Sequence, residues 1–298
     1  MGEPLVSIVI THYDQEGFLR EALGSAQSQT YKNIEVVIVD DCSGNPESAR
    51  TLDSIRSRDV RFMRHTCNLG AGAARNSGVA AAGGELLVFL DADDLLAADF
   101  VETAVVTLQE CPEAELLYTG VEIFGECSGR EDFKLSVIGL LAGASTPRTF
   151  VCTKKMHDRL GGYKGHLRYA ENSDYWLRVL LNGCKPLFTT GSYYRRRTGS
   201  TTRSAQDDYV RSLMLELVHE HEPLFREHLE PILVKQKSEQ LRNFAAARAV
   251  RREIAILRED LNNRYRELSE LHEKTCDKPA AANPPGLARF MSIFGSKR

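Results

Sequence analysis

Between Leu5 and about Arg203 the chain alternates short β-branched, apolar runs with amphipathic stretches. Leu5–Thr11, Ile34–Asp40 and Glu85–Asp91 read as buried strands, and Val60–Arg64 as a shorter one. Helices are predicted over Glu16–Gln29, Glu47–Ser57, Ala71–Ala82 and Ala98–Glu110. Strands that are apolar along their whole length must be covered on both faces, and strand–helix alternation supplies that cover. The pattern therefore predicts an α/β domain with a mainly parallel open sheet and helices on both faces. Ligands in open sheets of this kind sit at the carboxyl ends of the strands. Polar residues close three of the strands there: Thr11-His12-Tyr13-Asp14, Asp40-Asp41 and Asp91-Ala92-Asp93-Asp94.

After Asp207 the strand signals stop and helix formers run to about Lys274. Ala247, Val250, Ile254, Leu257, Leu261, Arg264, Leu268 and Leu271 fall on alternating three- and four-residue steps. Acidic g positions (Glu253, Asp260, Glu267) against basic e positions (Arg251, Arg258) fit a parallel coiled coil and hence a homodimer. An amphipathic helix packed on its own domain fits the same pattern, and Arg264 at a d position speaks for it. A Pro/Ala linker from Lys278 to Gly286 leads to Leu287, Phe290, Met291 and Phe294 on one helical face. With Arg289, Lys297 and Arg298 this suits a short helix touching a membrane surface, or a terminal docking peptide. The division expected is a catalytic-type domain over 1–205, a helical extension over 206–275 and a linker with an amphipathic tail over 276–298.

Composition narrows the function classes. Of 298 residues, 38 are basic and 41 acidic, for a net charge of −3, which gives no long-range attraction to nucleic acid. An apolar share of 42% with 27% charged residues is that of a globular chain. Apolar runs such as Leu86–Leu90 are far shorter than the roughly 20 residues that span a bilayer. The N-terminus carries no basic n-region, so no signal peptide is expected. Seven scattered cysteines, with no C-x-x-C pair, argue for a reducing cytoplasm.

The strongest local chemistry lies in Asp91-Ala92-Asp93-Asp94. Carboxylates two apart at a strand end offer hard oxygen ligands to Mg²⁺ or Mn²⁺ alongside phosphate oxygens. A D-x-D of aspartyl phosphatases looks similar, but Gly-Thr is expected after it where this chain has Asp94-Leu95. Asn68–Asn76 is rich in small residues and has Arg75 where a dinucleotide fingerprint needs its third glycine. It reads either as a diphosphate cradle with a guanidinium one turn in, or as a helix packed tightly on the sheet. Tyr169–Arg178 opens a helix with the only tryptophan, Trp176, as a core anchor. Glu171 and Asp174 at its start are candidates for a capping pattern or a general base. Tyr194–Ser200, with Arg195, Arg196 and Arg197, reads as a basic loop and a candidate lid over an anionic leaving group.

Taken in order, Val6–Tyr13, Gln29–Asp41, Asn68–Gly70 with Ala74–Asn76, Gly84–Glu85 with Asp91–Asp94, Leu160–Tyr163, Glu171–Arg178 and Tyr194–Ser200 resemble the blocks of the family 2 glycosyltransferases, which carry the GT-A fold. The resemblance covers about the first two thirds of the chain. It implies an inverting transfer of a sugar from a nucleotide donor, UDP-linked by preference, to a carbohydrate or lipid-linked glycan acceptor, as in surface-polysaccharide assembly at the cytoplasmic side of a membrane. By the same resemblance Thr11, Tyr13 and Asp41 hold the nucleobase and Arg75 sits near the nucleotide. Asp93 binds Mn²⁺ or Mg²⁺, with Asp91 beside it near the ribose and diphosphate. Two positions depart from the family pattern. Asn172 stands where the catalytic aspartate is usual, which shifts the base to Glu171 or Asp174, or weakens turnover until the chain is only a donor-binding or scaffold subunit. Arg197 stands where a metal-proximal histidine is frequent; it cannot ligate a cation but can pair with a diphosphate.

Overall fold

The computed structural model describes residues 2–55, 60–199 and 207–240, with Glu259 and Asn263. The heptad stretch 247–271 and the tail 276–298 lie outside these residues, apart from those two positions. The chain divides into two compact units, Met1–Leu140 with Ala144–Ala205, and Leu141–Gly143 with Gln206–Arg298.

In the first unit β1 (Val6–His12), β2 (Ile34–Asp40), β3 (Val60–Arg64) and β4 (Leu86–Asp91) form a parallel block in the order β3-β2-β1-β4. Helices α1 (Glu16–Gln27), α2 (Pro46–Ile55) and α3 (Ala71–Ala81) provide its crossovers. Every residue of β1 is buried, as is all of β4 except Asp91. That burial is why these strands are nearly continuously apolar up to their carboxyl ends. Beyond α4 (Phe100–Glu110) the order continues β8 (Phe150–Thr153), β6 (Leu116–Gly125), β9 (Leu187–Thr198) and β5 (Leu95–Leu96), with β7 (Gly129–Glu131) paired to β6. β8 runs antiparallel to β4 and β6, whereas β6 and β9 are parallel. The sheet is thus mainly parallel in its four long ladders, and short antiparallel strands complete it.

Two features seat the helices that carry the site. Gly78 on α3 lies so close to β1 that an added Cβ would stand 2.3 Å from Val9 Cγ1. On α7 (Glu171–Leu181), Trp176 is fully buried, and its Nε1–H donates to the Pro147 carbonyl at 2.8 Å. It packs edge-on against Phe150 and Tyr118, as expected for a core anchor. The remaining helices of the first unit are α5 (Val137–Leu141), which ends in the second unit's segment, and α6 (Lys154–Arg159). The second unit holds α8 (Asp207–Glu220), α9 (Glu222–Glu227) and α10 (Leu229–Gln240), with Leu217, Phe225 and Ile232 buried.

One sequence expectation is corrected. Tyr194–Thr198 is not a basic lid loop but the end of β9, in register with Val121–Gly125 of β6. Its arginines are spent on the sheet: Arg195 pairs with Glu122, Arg196 with Glu131 and Arg197 with Glu21. Carboxylates of β6, β7 and α1 supply the neutralisation that a run of cations lacks in the sequence.

Candidate active site

The three polar strand ends come together. Parallel register sets Thr11 beside both Val39 and Asp91, and His12 beside Asp40. The chain leaves β4 in a tight turn, with the Ala92 N–H donating to the Thr11 carbonyl and the Asp94 N–H to the Asp91 carbonyl. Carboxylate oxygens of Asp91, Asp93 and Asp94 then lie within 4.8 Å of one another.

Each carboxylate is held differently. Asp91 Oδ1 accepts from Arg75 Nη2 at 2.7 Å and from Thr11 Oγ1 at 3.3 Å, while Oδ2 lies 4.0 Å from Arg148 Nη1. Burial alone would raise the Asp91 pKa, but Arg75 and Arg148 prevail and hold it below the ordinary carboxylate range. Asp94 Oδ1 accepts from the Arg197 N–H at 3.0 Å, whereas its buried Oδ2 has no hydrogen-bond partner among the described residues. Burial, with Asp93 and Asp91 adjacent, pushes the Asp94 pKa well above the ordinary range. A buried, orphaned carboxylate oxygen among three such groups is costly unless a cation completes it, and an all-oxygen set suits Mg²⁺ or Mn²⁺. The residues present therefore fit the divalent ion that the resemblance implies.

Arg75 links this cluster to α7. It is 2% exposed, its Nη1 lies 3.5 Å from Glu171 Oε1, and its guanidinium sits over the Tyr163 ring at 5.1 Å. Burial works against its charge, yet Asp91, Tyr163 and Glu171 outweigh that and hold its pKa above the ordinary value. The small residues before it are explained by close packing: a Cβ on Gly72 would stand 3.3 Å from Glu171 Cβ and 3.4 Å from Tyr163 Cβ. Gly70, at φ +93°, turns the chain into the helix. The helix that Asn68–Asn76 opens packs tightly, and its guanidinium meets the carboxylates of Asp91 and Glu171.

Glu171 and Asp174 have opposite surroundings. Glu171 is 9% exposed, and its Oε2 is buried with no hydrogen-bond partner among the described residues. Burial raises its pKa against the opposing pull of Arg75. Asp174 is fully buried; its Oδ2 accepts from Arg178 Nε at 2.9 Å and Nη2 at 2.7 Å, and Lys164 Nζ lies 3.4 Å from Oδ1. Asn172 Oδ1 lies 3.5 Å from Tyr163 Oη.

At the end of β2, Asp41 Oδ1 accepts from the Leu69 N–H at 2.8 Å and meets His65 Nδ1 at 2.7 Å, while Oδ2 accepts from the Gly70 N–H at 2.7 Å. A carboxylate oxygen has two lone pairs, so Oδ2 retains one beyond its bond to Gly70. Tyr13 is 40% exposed. The Arg197 guanidinium lies over Phe18 and Phe124, with Nε donating to the Asp93 carbonyl at 3.2 Å and Nη2 on Glu21 at 2.8 Å.

Sequence reasoning gave no role to Tyr163 and missed Arg148, His65 and Arg168, the last donating to the side chain and carbonyl of Asn68 at 3.0 Å each. The signal for Arg148 lies in topology. Val88 pairs with Val151 across antiparallel β4–β8, so extending that register by three residues sets Arg148 opposite Asp91.

A mixed α/β sheet with this acidic edge is the GT-A fold. The Glycosyl transferase family 2 model matches residues 7–172, more than half of the chain, and the chain belongs to that family. An uncharacterized glycosyltransferase of Methanocaldococcus jannaschii is 32% identical over 197 residues, covering 62% of this chain and 68% of that protein. The Escherichia coli UDP-Glc:alpha-D-GlcNAc-diphosphoundecaprenol beta-1,3-glucosyltransferase WfaP is 28% identical, covering 70% and 83%. An uncharacterized glycosyltransferase of Rickettsia typhi is 28% identical, and the alignment spans 59% of each chain, so this chain spans little more than half of that relative. The crystal structure of S. aureus TarS 1-349 in complex with UDP-GlcNAc superposes with a TM-score of 0.61 at 18% identity, covering 76% of this chain and 72% of that one. Among the described residues no helix is long and apolar enough to cross a membrane.

Proposed function

We propose that the chain is an inverting, metal-dependent glycosyltransferase that moves a sugar from a UDP-linked donor to a carbohydrate or lipid-linked glycan acceptor in surface-polysaccharide assembly. The observation that carries this is the convergence of Asp91, Asp93 and Asp94 at one strand edge, tied through Arg75 to the buried Glu171. The UDP-sugar in the TarS complex and the donor named for WfaP support a uridine nucleotide.

Asp93, with Asp91 beside it, would hold Mn²⁺ or Mg²⁺. When bound, the cation neutralises charge developing on the departing diphosphate. Thr11, Tyr13 and Asp41 line the strand ends where the nucleobase would rest, and Asp41 pins the 68–70 turn beside it. Glu171 Oε2 is the base: it accepts the acceptor hydroxyl proton as the oxygen forms its bond to the anomeric carbon and the diphosphate leaves, and this single displacement inverts the configuration. A raised pKa makes Glu171 a stronger base once ionised, and Arg75 keeps the ionised form accessible. Asp174, fixed by two cations, is assigned to structure and not to proton transfer. Arg197 closes the metal side of the site through its contact with the Asp93 carbonyl.

One observation favours a second function, a donor-binding subunit without turnover: Asn172 occupies the position at which the family places its base. Transfer and hydrolysis measured with a panel of UDP-sugars and Mn²⁺ separate the two. Metal-dependent UDP binding with no sugar release from any donor would reject the enzyme. Self-association through 247–271, membrane contact through 287–298 and a cytoplasmic site of action complete the proposal. Sedimentation of the chain with and without residues 208–298 tests the first.

A further inference from the structure

Asp91, Asp93, Asp94 and Glu171 share one edge of the sheet with two guanidiniums that are held in unlike ways. Arg75 is enclosed, bonded to Asp91, close to Glu171 and covered by Tyr163. Withdrawing it would leave buried charges uncompensated, so it is a fixed part of the site. Arg148 keeps 22% of its side chain exposed, and its Nη1 stands 4.0 Å from Asp91 Oδ2, at the limit of an ion pair. That oxygen is the one which Thr11 and Arg75 leave unused. The field of Arg148 also reaches Asp94, Glu171 and Tyr194. Its backbone sits just before β8, with three carbons of flexible stem between backbone and guanidinium.

We propose that Arg148 is a tethered cation that occupies Asp91 Oδ2 in the nucleotide-free protein and exchanges that carboxylate for the diphosphate when a divalent ion and a nucleotide bind. This rests on the metal-dependent function proposed above. Without nucleotide, the guanidinium and the ion compete for Asp91. With nucleotide, the diphosphate supplies oxygens enough for both, because planar guanidinium donors pair with phosphate as readily as with carboxylate. Arg148 thereby makes binding of metal and nucleotide mutually dependent, and the dependence is reciprocal. A free divalent ion alone is held weakly, and the leaving diphosphate meets a cation that the protein supplies.

The test is Mn²⁺ binding to the full-length, nucleotide-free protein, read from the electron paramagnetic resonance of unbound Mn²⁺, together with UDP titration at saturating Mn²⁺. Arg148→Gln is expected to bind Mn²⁺ about tenfold more tightly without nucleotide and UDP about tenfold more weakly with Mn²⁺, as loss of one nearby charge dictates. Arg148→Lys keeps the charge and is expected to retain the weak Mn²⁺ affinity of the wild type. A damaged fold would lower Mn²⁺ affinity, so a gain cannot arise from misfolding. Unchanged or weaker Mn²⁺ binding by Arg148→Gln, in a setting where UDP strengthens wild-type Mn²⁺ binding, overturns this inference alone. Absence of Mn²⁺ binding in the wild type with and without UDP overturns the metal-dependent function and this inference with it.

Discussion

Replacing Glu171 by Gln separates proton transfer from structure at the residue that precedes the chain's departure from its family, Asn172. The substitution removes a carboxylate whose Oε2 is buried without a hydrogen-bond partner and whose Oε1 lies 3.5 Å from Arg75. Arg75 keeps its 2.7 Å bond to Asp91, so the guanidinium is not stranded. General-base catalysis is worth about a hundred- to ten-thousand-fold in rate, or about 2.7–5.5 kcal/mol of barrier. Sugar transfer by Glu171→Gln should fall by that factor while UDP affinity changes little. The sign of the stability effect follows from the raised pKa. A carboxyl group whose folded-state pKa is raised stabilises the fold in its protonated form, and that contribution is lost as pH rises through the folded pKa. Near pH 8 the neutral glutamine should therefore leave the thermal midpoint unchanged or higher, whereas loss of a structural ion pair would lower it. For the same reason the acid limb of kcat in the wild type should lie above the range of an ordinary glutamate. Asp174→Asn is the control: it breaks a buried pair with Arg178 and should cost about 3 kcal/mol of stability. Turnover by Glu171→Gln within threefold of wild type, with any matched UDP-sugar, would refute the assignment of the base.

Four further outcomes are expected. Asp93→Ala should abolish the dependence of UDP affinity on Mn²⁺, measured by calorimetry, and retention of full metal-dependent affinity would reject Asp93 as a ligand. Gly78→Ala places a methyl group 2.3 Å from Val9 Cγ1, and overpacking of this kind should cost about 1–3 kcal/mol in denaturant unfolding; an unchanged midpoint would mean that α3 can lift from the sheet. Trp176→Phe loses the 2.8 Å bond to the Pro147 carbonyl and leaves that acceptor buried, for a cost of about 1–3 kcal/mol. Burial lowers the His157 pKa to about 4, so its contribution to stability is present above pH 6.5 and is lost as pH falls towards 4; a His157→Gln variant should show a flatter stability profile across that window.

The first half of the fold was legible in the sequence because parallel strands buried on both faces must be largely apolar, and β1, β2 and β4 each carry a run of Val, Ile, Leu or Phe. Their predicted bounds agree with the observed ones to within a residue. The second half was not. β9 alternates polar and charged residues over much of its length, and what stabilises Arg195, Arg196 and Arg197 there are carboxylates at Glu122, Glu131 and Glu21, remote in sequence. A local reading of Tyr194–Thr198 therefore finds only a cationic segment. The acidic edge was legible for a similar reason in reverse. Asp91, Asp93 and Asp94 are adjacent in the chain, so their convergence needs only one turn. Arg148 is a lone cation before a short strand, and its place opposite Asp91 follows only once β8 is known to run antiparallel to β4.

The arrangement also explains why α3 is so poor in large side chains. Glycines at 72 and 78 let one face of the helix touch α7 and another face touch β1, and Arg75 lies between them. At that depth a guanidinium can reach Asp91 on the strand and Glu171 on α7 at once. The end of the site proposed to hold the ion and the end proposed to take the proton thus share one buried cation. Under the proposed function, a divalent ion held beside Asp91 would weaken the claim of that carboxylate on Arg75 and leave the guanidinium more available to Glu171, which would favour the ionised form of the proposed base. The proposed metal and the proposed base would then be coupled through a single side chain. Arg75→Lys retains the charge but cannot engage both carboxylates in the same planar geometry, so it should disturb both ends together.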